Sequence, residues 1–509
     1  MNSKSKLIEL FTVDLRSLAI MRIGIALIII VDLIYRFSDI SSLYSDEGIL
    51  PRNTYVDYFD SWYFSIYLIS GLPIVHAFLF LLTGFTAFLF LIGYRTRLIN
   101  VVLWFLVSSL HMRNQFVLTG GDTLLCLLLF WGMFLPLGAY WSFDKKLFSK
   151  KENIPTQYFS LGVVALYLQV AFVYFFTALI KACPEWTKDG TAIFYALNID
   201  QYITPAGILL RQFTGLLKPL THSVFLYELI GPLLLFFPIF TGIVRTFTVF
   251  GFFLLQFGFW LCLTVGIFPF ATTVAICVFL PSWFWDVFFV WLSKQFIFIT
   301  IIKTQLRVLI DKYDKLIFNN RFITKLNSFF PTSKIIFKPS FISNITIVFF
   351  LFNVILWNIQ SVEKFNYSMP EFLKRVSYFF NIHQSWVMFG PKTLKEDFWY
   401  VYPGFLKNGE YVDVFSDPVN GKKLVWERPV NSSGMYKDHR WRTYIRNLWS
   451  SKNTLYPPYA QHICHSWNKT HSPDKELTYI DFYYAREETL LNNMLSKPTY
   501  GWMYRHKCY

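Results

Sequence analysis

The chain has 509 residues and a formal charge of +15, yet only 16% of its residues are charged, while 54% are hydrophobic and 20% aromatic. A soluble domain carries about 25% charged residues, so a wholly water-exposed globule of this size is excluded. The positive balance then reads as basic loops beside anionic lipid rather than as a nucleic-acid surface.

A membrane-spanning helix needs about 20 mostly apolar residues. The first such run, Leu18–Phe37, has polar flanks and no small-residue cleavage site, so it is expected to remain as a signal anchor and first span. It carries Arg22, Asp32 and Arg36, and the last two, four apart, can pair on one helix face. Pro73–Gly93 and Leu98–Met112 are the next expected spans. The third runs into His111-Met112-Arg113-Asn114-Gln115 and then Thr119-Gly120-Gly121-Asp122. The glycines permit a tight turn, and Asp122 is expected to cap the fourth span, Asp122–Tyr140. His111 and Asn114 are candidate donors toward a ligand at that level.

The fifth expected span, Leu161–Ala182, carries Tyr167, Tyr174 and Lys181 at intervals of seven, with Thr177 between the last two. On a helix these form one polar stripe. Lys181 either snorkels to the interface or, held in an apolar pocket, loses proton affinity and acts as a base. The next segment, Cys183-Pro184-Glu185-Trp186-Thr187-Lys188-Asp189-Gly190, reads as a loop folded at the membrane surface beside an opening into the bundle. Leu220–Phe240 carries Glu228, an ionisable group where such groups are costly. His222 lies six residues earlier, off that face. Val244–Val265, Phe268–Leu292 and Phe341–Ile359 complete about nine spans.

Basic residues fix the expected orientation. Lys4, Lys6 and Arg16, then Arg95 and Arg97, then Lys145, Lys146, Lys150 and Lys151, then Arg245, then the stretch from Lys303 to Lys338 all fall on one face if the N-terminus is cytoplasmic. The expected division is a helix bundle at 1–295, a basic cytoplasmic loop at 296–340 of interfacial-helix character, a last span at 341–360 and an extracytoplasmic α+β domain at 361–509. In that domain Asn408-Gly409 and Asn420-Gly421 are hairpin-type turns. Tyr411–Val414, Leu424–Trp426 and Leu477–Tyr484 read as strands, and Asp438–Ser450 as a helix. Cys464 and Cys508 either pair, in an oxidising compartment, or stay free. Cys126, Cys262 and Cys277 read as buried small hydrophobes. No zinc-type spacing occurs.

The order Arg113-Asn114, Gly120-Gly121-Asp122, Phe134-Leu135-Pro136-Leu137-Gly138 and Trp141-Ser142-Phe143-Asp144 resembles the HTTM family, the horizontally transferred transmembrane domain shared with vitamin K-dependent gamma-carboxylases. The stretches Asp14–Ala19 with Arg22-Ile23-Gly24, Tyr44–Gly48, Gly93–Arg97, Lys181 to Asp189-Gly190-Thr191-Ala192 and Gln384–Phe389 are similar to it as well. The resemblance implies a multi-pass protein, in a bacterial inner membrane on the Lys/Asn/Phe/Ile-rich composition. It implies Lys181 as the base toward vitamin K hydroquinone of menaquinol type, with O2 and CO2 as co-substrates and no metal. Beside Lys181, the candidate quinol- or substrate-binding residues are Asn114, His111, Asp122, Tyr174, Thr177, Trp186 and Glu228. The implied partners are the lipid bilayer and a secreted or membrane polypeptide substrate, and no nucleic acid. A second reading stays open: a non-catalytic membrane factor that matures or escorts another polypeptide. A transporter is a weaker third, since no inverted repeat is visible.

Overall fold

The computed structural model describes residues 8–59, 62–148, 154–295, 339–450, 454–490 and 494–509. The expected basic interfacial loop falls outside the described residues. The bundle begins with a short antiparallel pair, β1 (Thr12–Asp14) with β2 (Gln157–Phe159), which sets the starts of α1 (Leu15–Phe37) and α5 (Leu161–Ile180) at one end. Asp14 caps α1, accepting from the Arg16 amide at 2.8 Å. Between these helices lie α2 (Pro73–Ile92), α3 (Thr96–Arg113) and α4 (Gly120–Gly132). After them come α6 (Thr214–Leu234), α7 (Thr241–Cys262), α8 (Phe268–Ile276), α9 (Ser282–Gln295) and α10 (Phe341–Ser361). α1 packs on α2, α5 on α6 and α10, and α4 on α8.

Every expected span has a helix within it, but nine crossings are not confirmed. Among the described residues, α1, α2, α5, α7 and α10 are long and apolar enough to cross a bilayer. A sixth is possible if the pair Phe268–Phe279 and Ser282–Lys294, bent by 104°, counts as one span. The remaining expected spans fall short of that length or apolarity for identifiable reasons. α4 has 13 residues, about 20 Å at 1.5 Å per residue, against the ~30 Å of a hydrocarbon core. α3 is interrupted by Arg97, Asn100, Ser108, Ser109, His111 and Arg113, and α6 by Lys218, His222 and Glu228, with Pro219 and Pro232 inside it. The eighth expected span is broken at Leu280-Pro281, where proline cannot continue the hydrogen-bond ladder. These helices make this a multi-pass membrane protein.

Arg245 donates to the Leu10 carbonyl at 2.7 Å, and the Arg95 amide donates to Asp144 at 2.7 Å. The C-terminal domain sits at the other end of α1. Its five-stranded antiparallel sheet is built on β6 (Leu477–Glu488). One side of β6 pairs with β3 (Glu396–Val401) and with β4 (Pro403–Leu406), which carries β5 (Tyr411–Asp413); the other side pairs with β7 (Thr499–Lys507). Asn408-Gly409 does make the β4–β5 turn, with Gly409 at φ 90°. Leu424–Trp426 is not a strand. Only an isolated bridge from Lys422 to Asp413 forms there, and Trp426 instead packs on Tyr483 and Tyr500. The expected helix is present as α11 (His439–Ser450); α12 (Tyr456–Asn468), β3 and β7 were not legible in advance. Cys464 on α12 and Cys508 after β7 form a disulfide.

Candidate functional site

α5 ends because Pro184 follows it closely. Lys181 is its C-cap, with its amide bonded to the Thr177 carbonyl at 2.9 Å, so the ammonium lies at the helix end that favours positive charge. Its side chain is turned inward. Lys181 Nζ donates to Glu228 Oε2 at 2.7 Å and to Oε1 at 2.9 Å, and both side chains are 1% exposed. The Trp186 ring lies 4.6 Å from Nζ and the Phe259 ring 5.9 Å. The ammonium thus faces one carboxylate and two aromatic faces and does not snorkel.

The segment Gln384–Phe389, part of the family resemblance, threads the bundle beside α5 and continues through Gly390 and Pro391. Trp386, 1% exposed, donates to Gln384, which bonds Gln169 at 2.8 Å. Thr177 Oγ1 lies 3.4 Å from the Trp386 carbonyl, and Trp186 Nε1 donates to the Phe389 carbonyl at 2.9 Å. Gly390 then crosses Lys181 so closely that a Cβ there would lie 3.2 Å from the lysine Cα and Cγ. Phe389 lines an apolar cavity of about 410 Å³ walled by Trp186, Phe259, Tyr227 and Leu254. Pro391 lines a more polar cleft of about 810 Å³ with Glu185, Lys392 and Lys395. Gly390, packed on Lys181, thus joins a residue that lines the apolar cavity to one that lines the polar cleft.

Of the predicted residues, Lys181, Glu228, Trp186 and Thr177 come together here. Tyr174 lies two turns before Lys181, accepting from Gln256 at 3.2 Å and stacked near Phe252. The other three belong to a separate cluster. Asp122 is not the N-cap of α4; Thr119 is, and Asp122 closes the capping box by accepting from the Thr119 amide at 2.7 Å. The Asp122 carboxylate also accepts from Arg36 at 2.6 Å and Arg440 at 3.0 Å, while Arg36 pairs with Asp32 at 2.6 Å and Arg440 with Asp32 as well. His111 lies 3.6 Å from Asp122 and 3.2 Å from Cys126 Sγ. Asn114 donates to the Leu43 carbonyl at 2.8 Å and accepts from the Phe116 amide. This cluster joins the bundle to α11.

Sequence reading did not single out Arg440, Gly390, Phe389 or Gln256 as site residues. Phe389 left a signal only as the end of the Gln384–Phe389 stretch, and Arg440 only as one of the arginines in the expected helix. It also missed a junction in which Arg428 meets Asp200 at 2.6 Å, Asp397 at 3.2 Å and Glu487. Burial and the neighbouring Asp200 push the Asp397 carboxyl up to about 7.

The family model described as the HTTM domain matches residues 11–283, more than half of the chain. No curated protein and no solved structure matches the sequence.

Proposed function

The chain belongs to the HTTM family, and from that premise we propose that it is a membrane-embedded, quinol-linked enzyme resembling vitamin K-dependent gamma-glutamyl carboxylase, with Lys181 as the base. The observation that carries this reading is the buried Lys181–Glu228 pair at 2.7 Å, flanked by the rings that wall the apolar cavity.

The cavity fits an apolar ring system with a tail. Its lining is apolar apart from single hydroxyls such as Tyr227, and a Cβ added at Gly258 on its wall would meet nothing within 4 Å. Trp186, Phe259 and Phe389 would hold a quinol ring; Leu254 and Leu255 on α7 would lie along its tail. Bound there, the quinol would supply, with O2, the oxidation that drives removal of a proton from a weak carbon acid such as a peptide glutamate, and CO2 would add to the carbanion left behind.

The protein's own part is proton handling. In a low-dielectric site an ammonium–carboxylate pair competes with its neutral form. A proton passed from Lys181 Nζ to Glu228 leaves a free amine, which can accept a proton from a hydroxyl placed against Trp186. The carboxyl keeps the other proton, so net charge in the cavity does not change. The polar cleft beyond Gly390 suits the acceptor polypeptide. In this orientation the β1 end, with its basic segments, faces the cytoplasm of a bacterial inner membrane, and the C-terminal domain lies across it.

Purified protein given vitamin K hydroquinone and oxygen should form the quinone epoxide, and Lys181→Ala should not. No epoxide, or equal epoxide from both, overturns the reading. The second reading, a non-catalytic escort of another polypeptide, is favoured by the same pair taken as a satisfied structural ion pair, and it predicts that outcome together with a polypeptide crosslinked to the C-terminal domain.

A further inference from the structure

A cleft of about 520 Å³ opens at the β1 end of the bundle, where Thr12 of β1, the start of α7 and the break between α8 and α9 meet. Tyr167 of α5 also lines it. Lys181 stands fourteen residues further along the same helix, about 21 Å at 1.5 Å per residue, so the cleft is remote from it.

Arg245 of α7 is the only basic group among the described residues that line this cleft, and it is 4% exposed. Its Nε donates to the Leu235 carbonyl at 3.0 Å and its Nη2 to the Leu10 carbonyl at 2.7 Å. Nη1 has no partner among the described residues, yet it is not sealed in the interior: it keeps accessible surface on a residue that lines the cleft. The rings of Tyr167 and Phe279, 5.5 and 5.7 Å from the guanidinium carbon, flank the group but bring no counter-charge. A buried cation without a carboxylate is costly, and a reachable N–H on it calls for an anionic acceptor.

The start of α7 points to the same acceptor. Thr241 and Gly242 line the cleft, and among the described residues no side chain caps this helix. Its leading amides and the positive end of its dipole are therefore available to an anion. Trp283 closes against this turn, since a Cβ on Gly242 would come within 2.7 Å of its ring.

Charge then narrows the class of ligand. Two carboxylates line the cleft as well. Asp14 is taken up by Arg16 at 2.8 Å. Glu9 is exposed and has no ion-pair partner among the described residues. The cleft thus offers one unmatched positive group and one unmatched negative group. A simple anion or a simple cation would meet only one of them, whereas a head carrying both charges meets both. The rim names the source. Ile8 and Trp283 are nearly half exposed, and Ile239, Ile243 and Phe247 beside them on the chain of Arg245 are half exposed or more, an apolar surface of the kind that faces acyl chains.

We infer that this cleft binds the head group of a zwitterionic phospholipid. The phosphodiester lies against Arg245 Nη1 and the start of α7, the ammonium faces Glu9, and the acyl chains run along Ile243 and Phe247. The site does not rest on the reading given to Lys181.

The test is photolabelling of the full-length protein in phosphatidylcholine nanodiscs, with phosphatidylethanolamine and phosphatidylglycerol probes that carry the same diazirine acyl chain. The ethanolamine probe should label Ile239–Phe250 at least fivefold more than the glycerol probe, while the two should label the lipid-facing stretch Phe341–Phe352 equally. Glu9→Gln, at an exposed position without an ion pair, should leave the melting temperature unchanged and bring the two probes within twofold of each other. Arg245→Gln should cut labelling by both at least fivefold, and Lys181→Ala should change neither, which separates this outcome from that of the quinol reaction. Equal labelling of Ile239–Phe250 by the two probes, or a preference unchanged in Glu9→Gln, overturns the inference. So does loss of labelling to soluble glycerophosphoethanolamine, which would assign the cleft to a soluble ligand instead of a lipid.

Discussion

Arg440 of α11 donates to Asp122 of α4 at 3.0 Å, a contact between residues 318 apart in sequence. Both side chains are within 2% of full burial. With Arg36 and Asp32 they form a four-charge clamp between the bundle and the C-terminal domain.

Removing one member of such a clamp strands the others. Arg440→Met should destabilise the protein by about 3–5 kcal/mol, read as a lower melting temperature in detergent and as faster proteolysis of the C-terminal domain. Adding Asp32→Asn should restore part of the loss, because the remaining Asp122 and Arg36 then balance. If the double variant is no more stable than the single one, the clamp does not act as an ion network.

Glu228→Gln keeps the shape of the Lys181 partner but removes its proton acceptor. Expected epoxidation falls roughly 10²–10⁴-fold per folded molecule, the melting temperature falls as well because Lys181 loses its buried counter-charge, and the activity that remains should rise with pH. A pH profile parallel to wild type would show that Glu228 only positions the lysine.

The junction at Arg428 predicts a pH dependence. The folded Asp397 carboxyl, at about 7, lies above its ordinary value of 3.8, so the folded state binds more protons than the unfolded one in between. Its contribution is therefore present below about 3.8 and is lost as pH rises through 7. Burial raises Glu487 beside Arg428 in the same direction. The C-terminal domain should melt several degrees lower at pH 8 than at pH 5, and Asp397→Asn should remove most of that difference. A flat wild-type profile would refute the assignment.

The Cys464–Cys508 bond closes a 44-residue separation between α12 and the end of β7. Chain-entropy arguments give roughly 4 kcal/mol for a loop of that size. Paired Cys464→Ser and Cys508→Ser, or reduction, should lower domain stability by about 2–4 kcal/mol in denaturant titration and increase exchange of β7 amides first, since β7 is an edge strand held by β6 alone.

What the sequence revealed followed the range of its interactions. The Asp32–Arg36 pair was legible because it is one turn apart on one helix, and Lys181 because proline and the seven-residue stripe mark a helix end. Its partner Glu228 was noticed only as an expensive group, since a 47-residue gap carries no register. Arg440 could not be joined to Asp122 for the same reason. The number of crossings was not legible because hydropathy does not distinguish a helix facing lipid from one packed inside a bundle: α4 is almost wholly buried by neighbouring helices. β3 and the carboxy-terminal end of β6, beyond the expected Leu477–Tyr484, mix aromatic or small residues with acidic ones, so alternation is hidden.

The clamp also sets a timetable for biogenesis. When α1 and α4 leave the ribosome, Asp32, Asp122 and Arg36 enter the membrane with one carboxylate unmatched, and its counter-charge is encoded more than three hundred residues downstream. The bundle therefore cannot reach its final charge balance until the last sixth of the chain has been made and folded back onto it. A chain truncated before α11 would present a bundle with an exposed acidic end, a mark by which quality-control proteases could tell unfinished copies from finished ones.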